Sequence, residues 1–434
     1  MKNTRRLNGS RLLAVLLLTV FFLARPVFSA TPAFQYNIVS VRSLSGGSTV
    51  APGQFVVVRF SVSNPQTGTF YSLATDPAWT QTASGASRLF LQIAWDTRDF
   101  TNANSNINSL AGSRGAADPI PVNALAATVT NNGDGTYTAT APLPIPSTAG
   151  GTGEVAMEGH PAGPDATGAF TVRVPVKSVF KYFPITGAAS VARRQIVDIN
   201  KCMVCHRPDG TGVAPRLTLH GNNRTEEVQV CVVCHNPDNT DIAFRSTIPK
   251  VVNGVTINEN PVVQVGSNSY PEQGIDFKRL IHGIHASTTG FRRNPLVVIA
   301  FNGTVFDAST LTRFPGELSN CVACHIDNGR VGTFELPMAS SVLGTTMNTR
   351  SSGVNANGTF VINSDPANDV KISPTAAVCS SCHDSGEVTR HMVSTGGASF
   401  NTTQAALNSG AVKERCVNCH GAGKEESVRS AHLD

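Results

Sequence analysis

The chain has 434 residues, with 34 Lys or Arg, 29 Asp or Glu and ten cysteines. Five of the basic residues and none of the acidic ones lie in residues 1–30, so the rest of the chain carries 29 charges of each sign. This balance gives no argument for nucleic-acid binding, which is not expected, and about 400 residues allow two or three domains.

The first 30 residues predict a secretory signal peptide. A basic start over residues 2–11 is followed by an apolar run over 12–24, which ends near the small residues Ser29 and Ala30. The run is shorter than the ~20 apolar residues that a spanning helix needs, so cleavage is favoured over retention as a membrane anchor. No cysteine lies near the cleavage site to carry a lipid, and no transmembrane span is expected after cleavage.

Residues 31–186 predict a mainly β domain, either a barrel or a sandwich. Short β-like runs are separated by Gly, Pro, Asn and Asp, and they cover residues 54–62, 88–95, 135–141, 153–159 and 169–182. Within the last run, apolar and polar residues alternate from Phe170 to Pro175, as expected of half-buried strands. The Asp134-Gly135 pair is a tight-turn signal.

Residues 187–434 hold all ten cysteines and predict an irregular domain with short helices. The cysteines fall in five copies of the pentapeptide Cys-x-x-Cys-His, and none is left over. Two cysteines three residues apart on a helical turn can form thioethers with the two vinyl groups of one porphyrin edge, and the adjoining histidine then reaches the iron. We therefore expect five haem c groups, attached through Cys202 and Cys205, Cys231 and Cys234, Cys321 and Cys324, Cys379 and Cys382, and Cys416 and Cys419, with His206, His235, His325, His383 and His420 as proximal ligands.

Zinc sites and disulfides are the alternatives for Cys-x-x-Cys spacings. Zinc would need pairs of such units, and it gives no reason for a histidine after each one. Disulfides in an exported protein would not require that histidine either. Covalent haem is the favoured interpretation because it accounts for both cysteines and the histidine of every copy.

Six histidines lie outside the pentapeptides, and five of them share the cysteine-bearing half of the chain. One such histidine for each iron gives a six-coordinate haem without a vacant position for a substrate, which favours electron transfer over catalysis. The sixth, His160, falls in the β region and is expected to be an ordinary surface or loop histidine. We therefore predict no catalytic residue, and distal iron ligands at His220, His282, His285, His391 and His432.

The pair His282 and His285 lies in a segment, residues 277–286, that is predicted to be helical. A spacing of three residues places both imidazoles on one face of a helix. They are expected to ligate two neighbouring haems. A shared zinc site and two solvated histidines are the alternatives.

The other distal assignments depend on the histidine count. Met392 is a competing ligand beside His391, and His432 lies near enough to the chain end for a disordered tail to be the alternative. Roughly 50 residues per haem are too few to give each macrocycle a core of its own, so the porphyrins must pack together. The polar inserts at 239–274 and 326–378 are interpreted as loops, and residues 297–305 as a strand pair.

Several further segments carry a resemblance to a known family. They are Ala94-Trp95-Asp96-Thr97, Asp134-Gly135-Thr136-Tyr137, His220-Gly221-Asn222-Asn223-Arg224, Cys234-His235-Asn236-Pro237 and Leu280-Ile281-His282-Gly283-Ile284-His285. With the five pentapeptides, they resemble the outer-membrane multihaem cytochromes of extracellular respiration, of the decahaem OmcA/MtrC type. Those proteins alternate β domains with pentahaem domains, and this chain resembles one half of that plan.

The resemblance implies bis-histidine haems that pass electrons to metal oxides, soluble metals, flavin-like shuttles or another cytochrome of the respiratory chain. It also implies that the five extra histidines of the cysteine-bearing half match the family's distal ligands. The expected location is the outer cell surface, with the periplasm as second choice. Two other classes stay open: a multihaem reductase with one open haem, and a filament-forming cytochrome subunit.

Overall fold

The computed structural model describes residues 34–96, 98–104, 117–210, 212–214, 216–245, 250–252, 255–257, 263–265, 268–300, 303–326, 335–349, 353–354, 360–361 and 366–433. The predicted signal peptide over residues 1–30 lies outside these ranges. Within them, no helix combines the length and the apolar character needed to cross a membrane. The described residues from Phe34 onward belong to one compact unit, and the domain boundary at residue 186 stays a prediction.

Ten strands precede residue 186, and eight of them form two antiparallel four-stranded sheets in the described part of the chain. One sheet has the order β1-β2-β6-β5 and the other the order β10-β7-β3-β4, while β8 and β9 pair with each other alone. Of the two architectures predicted for this region, the described strands therefore fit a two-sheet sandwich. The strands are β1 Gln35–Ser43, β2 Val56–Ser63, β3 Arg88–Trp95, β4 Ile120–Asn123, β5 Thr130–Asn131, β6 Tyr137–Thr140, β7 Thr152–His160, β8 Ala162–Pro164, β9 Phe170–Arg173 and β10 Val179–Pro184.

The inward side chains of both sheets share one apolar core. Alternate residues of β2, from Val56 to Val62, and of β3, from Leu89 to Trp95, are buried in it. Each fully buried side chain of this size contributes about 1.5–3 kcal/mol to folding through the removal of apolar surface from water. The core therefore stabilises residues 34–186 through contacts made within that region.

Strand β7 is buried on both of its faces. Val155 and Met157 point into the sandwich core, whereas Ala156, on the opposite face, packs in a second cluster with Val230 and Val233. Because successive side chains of a strand alternate between the two faces of its sheet, β7 contacts the cysteine-bearing half with its outer face. This packing brings the second Cys-x-x-Cys-His segment against the sandwich.

Some predicted strands are confirmed and one is wrong. The run at 88–95 matches β3, and the Asp134-Gly135 turn lies in the connection from β5 to β6, where Gly135 has a φ of 82°. The single run predicted over 169–182 is instead two strands of different sheets, β9 and β10, because Pro175 between them lacks the N–H that a continuous ladder needs. The predicted half-burial also fails in β9, where Val172 is 48% exposed, since β8 is its single partner among the described strands.

Past residue 186 the regular elements are short, as predicted. The helices of the described residues are Ile199–Cys202, Val228–Val232, Phe277–Thr289, Pro374–Cys379, Gly386–Ser394, Gln404–Asn408, Val417–His420 and Val428–Leu433, and a further one, Pro77–Thr80, lies in the β region. Single 3-10 turns occur at Ile242–Phe244, Ala308–Thr310, Cys321–Ala323 and Pro366–Asn368. Much of this half therefore takes its conformation from tertiary contacts.

This half of the chain also contains two-stranded antiparallel pairs. The pair predicted near 297–305 is confirmed, and the inserts at 239–274 and 326–378, interpreted as loops, contain strand pairs of their own. The described pairs are Thr218–Leu219 with Arg224–Thr225, Lys250–Val252 with Val255–Ile257, Val263–Val265 with Asn268–Tyr270, Val297–Ile299 with Val305–Asp307, Thr345–Asn348 with Val370–Ile372, and Gly353–Val354 with Phe360–Val361.

The predicted helix around His282 is confirmed and spans Phe277–Thr289. It ends at Gly290, whose φ of 74° is the left-handed conformation in which glycine commonly terminates a helix. One face packs closely on Leu296, since a Cβ at Gly283 would lie 3.1 Å from a Leu296 methyl carbon. The Ser287 hydroxyl also accepts a hydrogen bond from the Leu296 N–H, so the orientation of the helix about its axis is set by these contacts.

Candidate functional site

Each Cys-x-x-Cys-His segment closes one helical turn. The histidine N–H donates to the carbonyl of the first cysteine, four residues earlier, at 2.8–3.0 Å in all five segments. Residues three and four positions apart lie on the same face of such a turn, so both sulfurs and the imidazole are directed to one side. No disulfide joins any of the ten cysteines.

Every pentapeptide histidine faces one of the predicted distal histidines. In the part of the chain that the structure describes, five such pairs occur, and no histidine belongs to two of them. The ring centroids are separated by 6.5 Å for His206 and His285, 5.9 Å for His235 and His220, 5.9 Å for His325 and His282, 5.9 Å for His383 and His432, and 6.1 Å for His420 and His391.

These separations fit a metal ion held between two imidazoles. Metal–imidazole bonds are about 2.0–2.1 Å long, so two nitrogens on opposite sides of one metal lie about 4 Å apart and their ring centroids roughly 6 Å apart. Direct ring stacking would instead bring the ring planes to van der Waals contact. The pairs therefore leave the space of one metal between them, and the adjoining cysteines supply thiols beside each space.

Backbone carbonyls orient several of these imidazoles. The Nδ1 atoms of His235 and His285 lie 2.9 Å from the Ile275 and Ile281 carbonyls, and those of His420 and His432 lie 2.8 Å from the Glu426 and Val428 carbonyls. A carbonyl only accepts, so Nδ1 carries the proton and Nε2 keeps its lone pair. Fixing a ligand histidine through its other nitrogen is the usual way in which proteins orient it toward a metal.

Burial favours the neutral form of several paired histidines. Desolvation lowers the pKa of His282 to about 4, with further lowering from the nearby His325 and His285. Burial also lowers the pKa of His235, His285 and His383. Neutral imidazole is the form that binds a metal, so these side chains are suited to hold one at neutral pH.

The first and third pentapeptides lie side by side. The side chains of Cys202 and Cys324 lie next to each other, and the Asp198 N–H donates to the Cys324 carbonyl at 3.1 Å. The ammonium of Lys201 also donates to the His325 carbonyl at 2.6 Å. Sequence spacing suggested that His282 and His285 serve neighbouring sites, and these contacts bring the two corresponding pentapeptides together.

The fourth and fifth pentapeptides are held by other contacts. The guanidinium of Arg292, two residues past the C-terminal Gly290 of the His282 helix, donates to the Ser381 carbonyl at 2.6 Å. The Arg415 N–H, just before the fifth pentapeptide, donates to the Gly396 carbonyl at 2.7 Å. Gly396 follows the helix that carries His391, so that histidine and its partner motif share a local support.

The structure decides the positions of three histidines whose surroundings the sequence left open or assigned differently. His432 lies in the Val428–Leu433 helix and pairs with His383. His391, rather than Met392, faces His420, and Met392 is buried in an apolar cluster. The expectation of a surface or loop position for His160 is wrong, because this residue ends strand β7 and is fully buried, with Nδ1 2.9 Å from the Ala86 carbonyl.

Residues of the β region that support the second site were missed by sequence reasoning. Asn102 donates to the Val233 carbonyl at 2.9 Å, and Glu158 of β7 forms an ion pair with Arg224. The two glutamates within strand β7, Glu154 and Glu158, were the available signal, since a buried carboxylate needs a partner. The identity of the partner of Glu158, 66 residues away, is a property of the tertiary fold.

Comparisons with known proteins agree with these features. The family model of outer membrane cytochromes described as MtrC/MtrF-like, domains II/IV, matches residues 194–433. Among solved structures, the chain is similar to MtrC from Shewanella baltica OS185, with 17% identity and a TM-score of 0.47 over 90% of this chain and 52% of that chain. It is also similar to the outer membrane decaheme cytochrome OmcA, with 16% identity and a TM-score of 0.43 over 93% of this chain and 49% of that one. No curated protein matches the chain.

The chain spans about half the length of these two solved structures. The family match covers more than half of the chain, and it contains all five pentapeptides and the five histidines that face them. The protein therefore belongs to the family of MtrC/MtrF-like outer membrane cytochromes.

Proposed function

We propose that this protein is an electron carrier with five covalently attached haem c groups, each held by two histidines. The ten cysteines of the pentapeptides form the thioethers, and the pentapeptide histidines are the proximal ligands. The distal ligands are the five histidines that face them, namely His285, His220, His282, His432 and His391 in the chain order of their partners. The observation that carries this proposal is the one-to-one pairing at centroid separations of 5.9–6.5 Å.

A haem iron with imidazole on both faces exchanges single electrons and has no vacant position for a substrate. The protein's own residues orient the imidazoles through backbone carbonyls and exclude water from several of them by burial. The contact between Cys202 and Cys324 supports close spacing of the first and third groups. Close spacing is what electron transfer along a series of centres requires.

The two parts of the chain, on either side of the predicted boundary at residue 186, have different roles. Residues 34–186 act as a β support, and residues 187–434 hold the haems. We assign the chain to extracellular respiration, with metal oxides, soluble metals or flavin-like shuttles as acceptors and other cytochromes as donors. Family membership supports this assignment. It also supports an exported location at the outer cell surface.

The test combines a mass determination of the intact purified protein with a spectroscopic redox titration. The expected mass exceeds that of the polypeptide by five haems, and the expected oxidised spectrum is low-spin throughout. Carbon monoxide added to the reduced protein should leave the spectrum essentially unchanged, because each iron is already six-coordinate. A mass equal to the bare polypeptide, or strong carbon monoxide binding by one haem per chain, would contradict the proposal, and the latter would favour a reductase.

A further inference from the structure

We propose that Glu158 of the β sandwich is a positioning residue for the second haem site, acting through Arg224 to hold His220 toward the iron shared with His235. This inference rests on the proposed function and deepens it. It assigns to the β region a specific task, which is to set the distal ligand of one haem.

The loop that presents His220 has an unfavourable backbone. It connects the short strands Thr218–Leu219 and Arg224–Thr225, and its residues His220, Gly221 and Asn222 have φ angles of 55°, 70° and 72°. Residues with a side chain rarely adopt this left-handed conformation. Where they do, the surrounding structure has to hold them in place.

The holding contacts come largely from the β region. The Asn222 side chain donates to the Arg173 carbonyl at 3.0 Å, and the Gly159 N–H donates to the Asn223 carbonyl at 2.7 Å. Within the loop, the Asn223 side chain donates to the His220 carbonyl at 2.7 Å. The backbone of His220 is therefore tied to Asn223, and Asn223 is tied to strand β7.

The ion pair of Glu158 and Arg224 is the charged part of this attachment. The guanidinium donates from Nε to Oε2 at 2.5 Å and from Nη2 to Oε1 at 2.8 Å, a two-bond geometry that fixes orientation as well as distance. The Gln92 side chain donates to Oε1 of Glu158 at 2.8 Å, and Glu158 is 3% exposed. The carboxylate is thus held in place by a residue of its own sheet as well as by Arg224 of the loop hairpin.

Register places this pair next to the ligand. Arg224 lies directly opposite Leu219 in the hairpin, and His220 follows Leu219. On the other side, Glu158 immediately precedes Gly159, which binds the Asn223 carbonyl. Two consecutive residues of β7 therefore hold the loop, one through a charged side chain and one through the backbone.

The same guanidinium also lies close to the attachment motif. Arg224 lies near Cys231 and Cys234, and the rings of His220 and His235 are 5.9 Å apart. The Arg224 side chain is thus close to the second pentapeptide, and the hairpin register places it near His220. A loss of its orientation would move the distal loop while leaving the pentapeptide turn, which has its own hydrogen bond from His235 to Cys231, intact.

The test compares Glu158→Gln with Glu154→Gln in the full haem-loaded protein. Glu154 lies on the same face of β7 and is fully buried, and neither of its carboxylate oxygens bonds to the loop over residues 218–225, so it is a matched control for disturbing this strand. Glu158→Gln should keep five haems by mass but convert one of the five from low-spin to high-spin, with one haem per chain gaining carbon monoxide binding. Glu154→Gln should keep all five low-spin.

Added imidazole distinguishes positioning from general stability. A distal position vacated by His220 should accept free imidazole, so the low-spin spectrum of Glu158→Gln should return. A spectrum that stays high-spin with imidazole would overturn the inference, and so would five low-spin haems in Glu158→Gln without carbon monoxide binding. The proposed function would stand in both cases, because it is tested by the haem count and spin state of the unaltered protein.

If Glu158→Gln does not fold, Arg224→Lys decides the question. Lysine keeps a positive charge opposite Glu158 but cannot make the two-bond contact of the guanidinium, so this variant is expected to fold. Partial conversion of one haem to high-spin, reversed by imidazole, would support positioning of His220 through Arg224. An unchanged spectrum would overturn it.

Discussion

His282 and His325 lie almost parallel, with ring centroids 5.9 Å apart and ring planes at 14°. His285, on the same helix, instead approaches His206, at 6.5 Å and 73°. A single helix therefore presents one imidazole to each of two Cys-x-x-Cys-His segments. This arrangement links two sites that are 119 residues apart in sequence, from His206 to His325.

Substitution of these two histidines should affect two different haems. His282→Ala and His285→Ala are each expected to create one high-spin, carbon monoxide-binding haem per chain, because each removes one axial ligand. The double variant should bind two equivalents. Titration with carbon monoxide under reducing conditions measures this stoichiometry, and one equivalent in the double variant would show that both residues serve one metal.

The C-terminal His432 should behave as a ligand in spite of its position near the end of the chain. His432→Ala is expected to turn one low-spin haem partly high-spin, since it removes the partner of His383. The control is His160→Asn, in which the amide can still donate to the Ala86 carbonyl. Paramagnetic resonance of the oxidised protein distinguishes the two, and a wild-type spectrum for His432→Ala would remove this residue from the ligand set.

The ion pair of Arg245 with Asp241 should contribute strongly to stability. The two side chains are 0% and 1% exposed, and Asp241 also accepts bonds from the N–H groups of Gln273 and Ile299. Arg245→Met leaves that carboxylate buried without its cation, which typically costs about 3–5 kcal/mol. Chemical denaturation of the haem-loaded protein measures the loss.

The surface pair of Arg59 with Asp134 is the comparison for this variant. Its side chains are 42% and 50% exposed, so solvent screens the interaction. Arg59→Met should change the unfolding midpoint far less than Arg245→Met does. Equal shifts for the two variants would show that burial of the Asp241 carboxylate is not the cause.

Glu272 should make stability depend on pH. Desolvation raises its pKa to about 7 from an ordinary 4.5, against lowering by bonds from Thr240 and Thr349. The folded protein therefore holds the proton more tightly than the unfolded chain. The resulting stabilisation is complete below pH 4.5 and is lost as pH rises through 7, by up to about 3 kcal/mol.

Glu272→Gln should remove this dependence. Denaturation at pH 5 and at pH 8 should give a smaller difference between the two pH values for the variant than for the unaltered protein. The exposed Glu425 provides a control, since Glu425→Gln is expected to leave the difference unchanged. A variant that keeps the full pH dependence would assign it to other groups.

Haem attachment should be needed for one half of the fold only. The large apolar core lies between Tyr36 and Ile185, whereas the clusters around Ile372 and Leu296 are small. Chain produced without haem attachment should therefore give a protease-resistant fragment close to residues 34–186, with digestion of the remainder. Mass spectrometry of the digest locates the ends of the resistant fragment. Equal protease resistance of both halves would contradict the prediction.

Local sequence patterns were sufficient to predict those helices and strands whose conformation depends on residues close together in the chain. The short β-like run over residues 88–95 predicts strand β3, and the segment over residues 277–286 predicts the helix that begins at Phe277. Strand β1, Gln35–Ser43, was missed because its apolar residues do not alternate cleanly, and a bulge interrupts its register after Ile38. That strand is stabilised mainly by pairing with β2, which a single run of sequence does not reveal.

The amino-acid sequence by itself determined the five Cys-x-x-Cys-His turns, because each segment needs only its own backbone to direct its sulfurs and imidazole to one side. It also restricted the candidate distal ligands to a short set of histidines by number. The tertiary structure alone decided which of them faces which motif, because partners such as His206 and His285 meet through the packing of segments far apart in the chain. The same packing brought Glu158 to Arg224. A buried carboxylate needs a cation beside it, and the sequence does not show which distant cation that is.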